Sequence, residues 1–572
     1  MSVAAFNLVL LPALVLAASL WLRSRRIAAG IFATVMLAGY LMLPPVGFAA
    51  LGTILLMILL SAPLFVTIGL LSVVCFYFGA EEYGQFSDYQ LIIEKIFTLT
   101  DKNVLLAIPF FVVAGSLMTA GGIARRVIAF ADALVGWLPG GLAAATVFSC
   151  AFFAAISGSS PVTVIAIGSI MMPALVKRGY REDFSLGLVT SAGSLGILIP
   201  PSIPMIIYAI VVTGPMSVNV ADLFIAGIIP GVVVAGVLIG YSIYVGASQP
   251  DFAWSELRPP SLKRIALRFK EGFWALLLPV IILGGIYPIF GPRGFFTPTE
   301  AAAVSAVYAL LVELLIHREL EVAALPKLLV ESTVMMGSLL IIMILSFSLN
   351  HYFVDQAIPD AAVEWIGGMD LGRVGFLLVL NLFLLLVGCL MDIISAVLVV
   401  APLIAPIAAS FGIAPLHLAI IFVVNLEIGY LTPPIGMNLF VSATLFDKPI
   451  GFVTRAVVPF TLLMLAGLAA ITWFEPISLG LGRALADRPA EQQGEAPPPG
   501  SETPDGDEDG DEDEDGDDSS RILSIEELMQ QGSGDAGAQD DEDEDEDEDE
   551  DGDEDDGRIK SIEELMREAQ AD

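Results

Sequence analysis

Two groups of oxygen-bearing residues interrupt otherwise apolar sequence. The first is Ser157-Gly158-Ser159-Ser160-Pro161 with Thr163; the second, 233 residues on, is Asp392 with Ser395. Each is followed by a further interruption. In the first case Gly193-Ser194-Leu195-Gly196 leads through Ile199 to Pro200-Pro201-Ser202. In the second, Asn425, Glu427 and Thr432 lead through Pro433-Pro434 to Asn438. A desolvated Na+ needs several oxygen ligands and little else. The hydroxyls of Ser157, Ser159, Ser160 and Thr163, with carbonyls freed around Gly193, Gly196 and Ile199, can supply one cage. Asp392, Ser395, Asn425, Glu427 and Thr432 stand at the matching places for another. An anionic substrate is better served by hydroxyls and by the positive N-terminal ends of half-helices. Ser159, Ser160, Pro201, Ser202, Pro434 and Asn438 are the candidates for that contact. Asp392 and Glu427 are carboxyl groups in apolar surroundings, costly there unless paired or functional. Each can ligate a cation, carry a coupling proton or cap a helix start.

The flanking sequence says what must position these groups. Apolar runs recur from residue 5 to residue 474, long enough in several cases to cross a bilayer. The runs 142–156 and 161–176 reach only about 24 Å each at 1.5 Å per residue, short of a roughly 30 Å hydrocarbon core. The small polar turn between them predicts a re-entrant hairpin, with one kinked span as the competing reading. The run 184–213 crosses, but its glycines and prolines remove backbone bonds, and freed groups at that depth are tolerated only where they line a cavity or bind something. A shift of 233 residues brings the pattern back. Pro173 falls on Pro406, Gly196 on Gly429 and Pro200-Pro201 on Pro433-Pro434. The hairpin 142–176 falls on 374–411 and the broken helix 184–213 on 416–445. Two structural repeats with discontinuous helices are the pattern of a secondary transporter whose site lies at the breaks. Lys177, Arg178 and Arg181 end the first hairpin, whereas Ser410 to His417 has no Lys or Arg. This asymmetry predicts inverted repeats.

Charge divides the chain. Of 63 acidic and 27 basic residues, 37 acidic and 4 basic lie from Glu491 onward, leaving a nearly neutral, apolar body. The body is therefore an all-α polytopic membrane protein rather than a soluble one, and with no basic stripe nothing supports a nucleic-acid partner. The three cysteines have neither metal nor redox spacing. No phosphate-binding Gly-Lys-Ser/Thr loop is present, and the Ser157–Ser160 group has no His or Lys in its own hairpin to make it an enzyme's nucleophile. The expected organisation is an extra stretch of transmembrane segments over 1–48, a first half over 49–248 and a cytoplasmic connecting arm over 249–272. A second half over 273–476 and a disordered acidic tail over 477–572 follow. Within the tail, Arg521–Met529 and Arg558–Met566 repeat a Ser-x-x-Glu capping box followed by a short apolar face, the form of a docking motif for an unknown partner. Thr297-Pro298-Thr299-Glu300 reads as a helix start with its own capping box.

With these motifs in hand the chain is similar to a known family. AIPFFVVAGSLMTAGGIARR (107–126), ISGSSPVTVIAIGSIMMPALVKRGY (156–180), GILIPPSIPMIIYA (196–209), FTPTEAAAVSAVYALLV (296–312) and NLEIGYLTPPIGMNLFVSA (425–443) resemble the large membrane subunit of TRAP transporters (M subunit, DctM-like). The resemblance covers about residues 50–475. It implies an elevator-type fold and a sodium-driven import of organic anions such as C4-dicarboxylates or sugar acids, without ATP or any bound cofactor. Na+ is then the coupling ion, with H+ as the alternative. It also implies a small four-helix membrane subunit and a periplasmic substrate-binding protein as partners in a bacterial inner membrane. A stand-alone carrier of the same superfamily is the second reading. The first 48 residues and the acidic tail depart from the family pattern.

Overall fold

A computed structural model describes residues 40, 45–60, 62, 64–79, 102–248, 261–287, 295–368, 371–434 and 436–486. The expectations for residues 1–39 and for the tail beyond residue 486, with its two motifs, lie outside them. The described residues form nineteen α-helices and contain no strand. In the first part these are α1 (Pro45–Leu59), α2 (Leu64–Gly79), α3 (Ala107–Ala120), α4 (Ile123–Val135), α5 (Gly141–Ser157), α6 (Ser160–Lys177), α7 (Glu182–Ser194), α8 (Ile203–Val211) and α9 (Val220–Ala247). There follow α10 (Leu262–Ile286), α11 (Pro298–Leu311), α12 (Leu325–Asp355), α13 (Ile358–Gly367), α14 (Arg373–Leu390), α15 (Ile393–Ser410), α16 (Pro415–Gly429), α17 (Met437–Leu445), α18 (Ile450–Trp473) and α19 (Pro476–Ala486). Helix α1 runs across the boundary expected at residue 48. The arm expected over 249–272 is helical from Leu262, where Ser261 caps α10 through the Arg264 N–H at 3.4 Å.

Both short pairs are hairpins. Helices α5 and α6 pack against each other and are joined by two residues. Gly158, at φ +58°, closes α5 by donating its N–H to Ala154 O at 3.0 Å, and Ser159 is extended ahead of Pro161 in the first turn of α6. A side chain other than glycine would be strained at that φ. The second hairpin turns through two extended residues, Met391 and Asp392, which stand 233 positions after Gly158 and Ser159. Both long apolar runs are broken as well. Between α7 and α8 lie a single 3₁₀ turn, Leu195–Ile197, and a cis Pro200–Pro201 bond; between α16 and α17 lies a cis Pro433–Pro434 bond.

Among the described residues from Lys177 to Arg373, α7–α8, α9, α10, α11 and α12 make five successive passes between the two ends of the bundle. An odd number of crossings delivers the second hairpin from the side opposite the first, so the repeats are inverted. The Lys177 end also collects Arg125, Arg126, Lys263, Arg264, Lys327 and Lys448, against Lys102, Arg373 and Arg483 at the other. On the positive-inside rule the first of these ends is the one expected to face the cytoplasm.

At that end Glu319, between α11 and α12, accepts from Arg125 at 2.9 Å and from Arg126 at 2.7 Å. Burial pushes the Glu319 carboxyl up, but the hydrogen bond and charge of Arg126 and the charge of Arg125 outweigh it and hold the group below its ordinary 4.5. A depressed carboxylate contributes stability that is fully present above its unfolded value and is lost as pH falls through the folded one. Wild type is therefore expected to melt above Glu319→Gln at pH 7, with the gap closing below about pH 4.5. Differential scanning fluorimetry of the two proteins from pH 3 to pH 7 checks this.

Candidate functional site

The two hairpin tips meet. One cavity of about 290 Å³ is lined by Ser157, Gly158, Ser159, Ser160 and Pro161 from the first tip and by Asp392, Ile393 and Ile394 from the second. Ile197, Ile203 and Pro204 of the first break and Tyr430 and Met437 of the second close it. Gly115 and Ser116 of α3 and Met335 and Leu339 of α12 complete the wall. Gly115 allows a close approach here, since a Cβ on it would lie 3.2 Å from Ser157 O. The first tip therefore rests directly on the α3 backbone.

The oxygens of the first tip form a compact cluster. Ser157 Oγ lies 3.0 Å from Thr163 Oγ1, and Ser159 O accepts from Thr163 Oγ1 at 2.8 Å and from Ser157 Oγ at 3.3 Å. Ser157 and Thr163 are buried. Gly196 presses on the same turn, since a Cβ on it would lie 2.5 Å from Ser159 O. Two hydroxyls and a carbonyl thus lie within 3.3 Å of one another. Ser160 is committed elsewhere, accepting from Asn438 Nδ2 at 2.5 Å, so the first tip is tied to the second broken helix. Gly193 serves close packing against Val164. Ile199 is two residues past the 3₁₀ segment, with its N–H on Leu195 O at 3.2 Å.

The second repeat distributes its polar groups differently. Asp392 caps α15, its Oδ2 accepting from Ser395 N at 3.0 Å and its Oδ1 from Ser395 Oγ at 2.5 Å, while Tyr430 OH accepts from Ile393 N at 3.1 Å. Asn425 donates to Asn381 Oδ1 at 2.7 Å and to Ile421 O at 2.8 Å, away from the cavity. Thr432 Oγ1 returns to Ile428 O at 3.0 Å. Glu427 is fully buried and meets Ser194 Oγ at 3.0 Å. These two residues are 233 apart in sequence, so equivalent positions of the two repeats touch each other at the C-terminal ends of α7 and α16. Among the substrate candidates, Ser202 is buried and staples the first break, donating to Ile197 O at 2.5 Å. Neither it nor Pro201 or Pro434 lines the cavity. Sequence reasoning missed Tyr430 and Ser116. Tyr430 directly follows Gly429 at the second break, a position that could have flagged it; Ser116 carries no comparable signal.

The cap geometry makes a prediction. Removing an N-cap costs about 1 kcal/mol, and Asn caps as well as Asp. Asp392→Ala is expected to lower the unfolding free energy by about that amount, and Asp392→Asn to leave it near wild type, read as thermal unfolding of the purified proteins.

The TRAP transporter DctM component model, described as tripartite ATP-independent periplasmic transporter, matches residues 51–477. The chain belongs to the DctM family. A C4-dicarboxylate TRAP transporter large permease protein of Pseudomonas aeruginosa is 43% identical over 68% of this chain and 88% of its own length. An isethionate TRAP transporter permease protein DctMQ of Oleidesulfovibrio alaskensis is 38% identical over 67% of this chain and 59% of its own length. An ectoine/5-hydroxyectoine TRAP transporter large permease protein of Ruegeria pomeroyi is 33% identical over 70% of this chain and 90% of its own. Among solved structures, the Alcanivorax borkumensis YdaH transporter superposes with a TM-score of 0.54 at 13% identity, covering 76% of this chain and 98% of that one. It shares the fold. The DctM family places this chain among large permease subunits of TRAP transporters, multi-pass in a membrane.

Proposed function

We propose that this DctM-family chain imports a small organic anion across a bacterial inner membrane by Na+-coupled secondary transport. In this reading it works with a small four-helix membrane subunit and a periplasmic substrate-binding protein. The observation that carries the reading is the single cavity joining both hairpin tips and both broken helices. Two 18-residue helices, α6 and α15, begin at its wall, and a helix start attracts anions. The two starts are not equivalent. Asp392 already occupies the α15 start, whereas Ser159 makes no side-chain bond to α6. The substrate's anionic group therefore docks on the α6 start. The oxygen cluster of Ser157, Ser159 and Thr163 holds Na+ behind the same tip, so that ion and substrate stabilise one tip geometry together. The relatives named for C4-dicarboxylate, isethionate and ectoine all carry molecules with a carboxylate or sulfonate, which supports the class and leaves the individual compound open. Transport then moves the hairpins and broken helices as a unit past α3 and α12, which the tips only abut.

The test is uptake of labelled dicarboxylates, sugar acids and sulfonates into liposomes that hold the chain and its small subunit. Uptake is expected only with an inward Na+ gradient and the cognate binding protein. Uptake without the binding protein would favour a stand-alone carrier, and uptake driven by a pH gradient alone would replace Na+ by H+.

A further inference from the structure

A second cavity, of about 480 Å³, lies at the basic end between α4, α10 and the end of α11, and shares no residue with the one between the tips. Its wall includes Arg125, Arg126, Arg268, Trp274 and His317. Arg125 and Arg126 converge on the one carboxylate of Glu319, and Arg268 pairs with Glu271 at 2.6 Å. Three guanidinium groups thus meet two carboxylates on the wall itself, with the Glu313 carboxyl buried behind His317.

His317 supplies the independent observation. Its side chain is 4% exposed and its Nδ1 lies 3.1 Å from Glu313 Oε1. The other oxygen of Glu313 takes the Gly122 N–H at 3.3 Å. The remaining ring nitrogen, Nε2, is buried without a hydrogen-bond partner, on a ring that lines this cavity. A buried polar atom left unpaired costs about 1–3 kcal/mol, and a ligand hydroxyl that reaches the ring, able to donate or to accept, satisfies it in either tautomer. Below the cavity the surface turns apolar. Val307, Leu311 and Leu315 are 58%, 48% and 64% exposed and, at a spacing of four, form one stripe that runs up to the level of His317.

A charged pocket at the membrane interface above an apolar stripe has the two halves of a phospholipid. We propose that this cavity binds the phosphate of an anionic phospholipid from the cytoplasmic leaflet, with an acyl chain along Val307, Leu311 and Leu315. Guanidinium forks match phosphate oxygens, Trp274 sits where interfacial rings sit, and basic pockets between membrane helices suit anionic headgroups. The proposal does not depend on what the transporter carries.

Native mass spectrometry of the full chain released from nanodiscs of dioleoyl phosphatidylglycerol and phosphatidylcholine tests it. Retention of phosphatidylglycerol over phosphatidylcholine is expected, falling about fivefold with Arg268→Gln. Arg268 is 41% exposed, so its replacement is expected to leave the fold intact. Arg126→Gln is expected to act in the same direction, read beside its melting temperature. Equal retention of the two lipids, or retention indifferent to both substitutions, would overturn the proposal. So would loss of the lipid once the small membrane subunit is bound, which would mean that the subunit covers the stripe. Inorganic phosphate that raises the melting temperature with the same arginine dependence, in the absence of lipid preference, would replace the lipid by a free phosphate and overturn the lipid assignment.

Discussion

Gly196→Ala is expected to leave a folded protein that transports about a hundredfold more slowly than wild type. An added Cβ would lie 2.5 Å from Ser159 O, 2.7 Å from its carbonyl carbon and 2.9 Å from Ser160 Cα. All three are backbone atoms of the first hairpin tip, so no side chain can rotate out of the way. The tip must retreat by roughly 1 Å to reach ordinary contact distance, and misplacements of that size cost about 10²-fold where geometry decides the rate. Retreat also pulls Ser159 O away from the break, opening the oxygen cluster with Ser157 and Thr163. The stability cost is that of overpacking, about 1–3 kcal/mol. Gly337→Ala, on α12, is the control, because a Cβ there meets nothing within 4 Å; it is expected to transport normally. Initial uptake rates, normalised to reconstituted protein and read beside melting temperature, decide the matter. Wild-type uptake by Gly196→Ala would separate the tip-to-break contact from transport.

The repeat was legible because proline and glycine punctuate a chain in lipid more sharply than they do in water. With no solvent to satisfy freed backbone groups, an interruption such as Pro200-Pro201 can survive only at a built site, and its recurrence at Pro433-Pro434 located both breaks. The capping box at Thr297 and Glu300 was equally direct, and both of its bonds are present, at 2.8 and 3.3 Å. Side-chain direction was not legible. Asp392 and Glu427 look alike in sequence, two carboxyl groups beside breaks, yet one folds back onto its own helix start and the other reaches the opposite repeat. Nor could Asn425 be separated from the site residues, because its partner Asn381 lies in a run that reads as featureless apolar helix. What distinguishes these cases is which face of each half-helix meets its neighbour, and an apolar sequence around the whole circumference of a helix carries no record of that. Ser160 illustrates the limit from the other side. It belongs to the tip, as its position implies, but its hydroxyl is spent on Asn438, 278 residues away.

Glu427→Gln is expected to keep both the melting temperature and the Na+ dependence of uptake, whereas Glu427→Ala is expected to lose about 2–4 kcal/mol of stability, the combined cost of a cavity and an unpaired hydroxyl. The reasoning turns on one proton. Ser194 Oγ lies 2.7 Å from Ser191 O and 3.0 Å from Glu427 Oε1. A hydroxyl has a single hydrogen, and the shorter contact to the Ser191 carbonyl claims it. The contact with Glu427 is then made fully only if the carboxyl group carries its own proton and donates it to Ser194. That state also avoids an uncompensated charge, which at a fully buried position costs several kcal/mol, and no cationic side chain pairs with Glu427 among the described residues. A glutamine amide donates to Ser194 in the same way and has nearly the same shape, so it preserves the joint between α7 and α16. The joint is where equivalent positions of the two repeats touch. The prediction therefore separates a structural role of Glu427 at this joint from a role as a cation ligand. A Glu427→Gln protein that melts as wild type but takes up substrate without regard to Na+ would make the carboxylate part of the second cation cage.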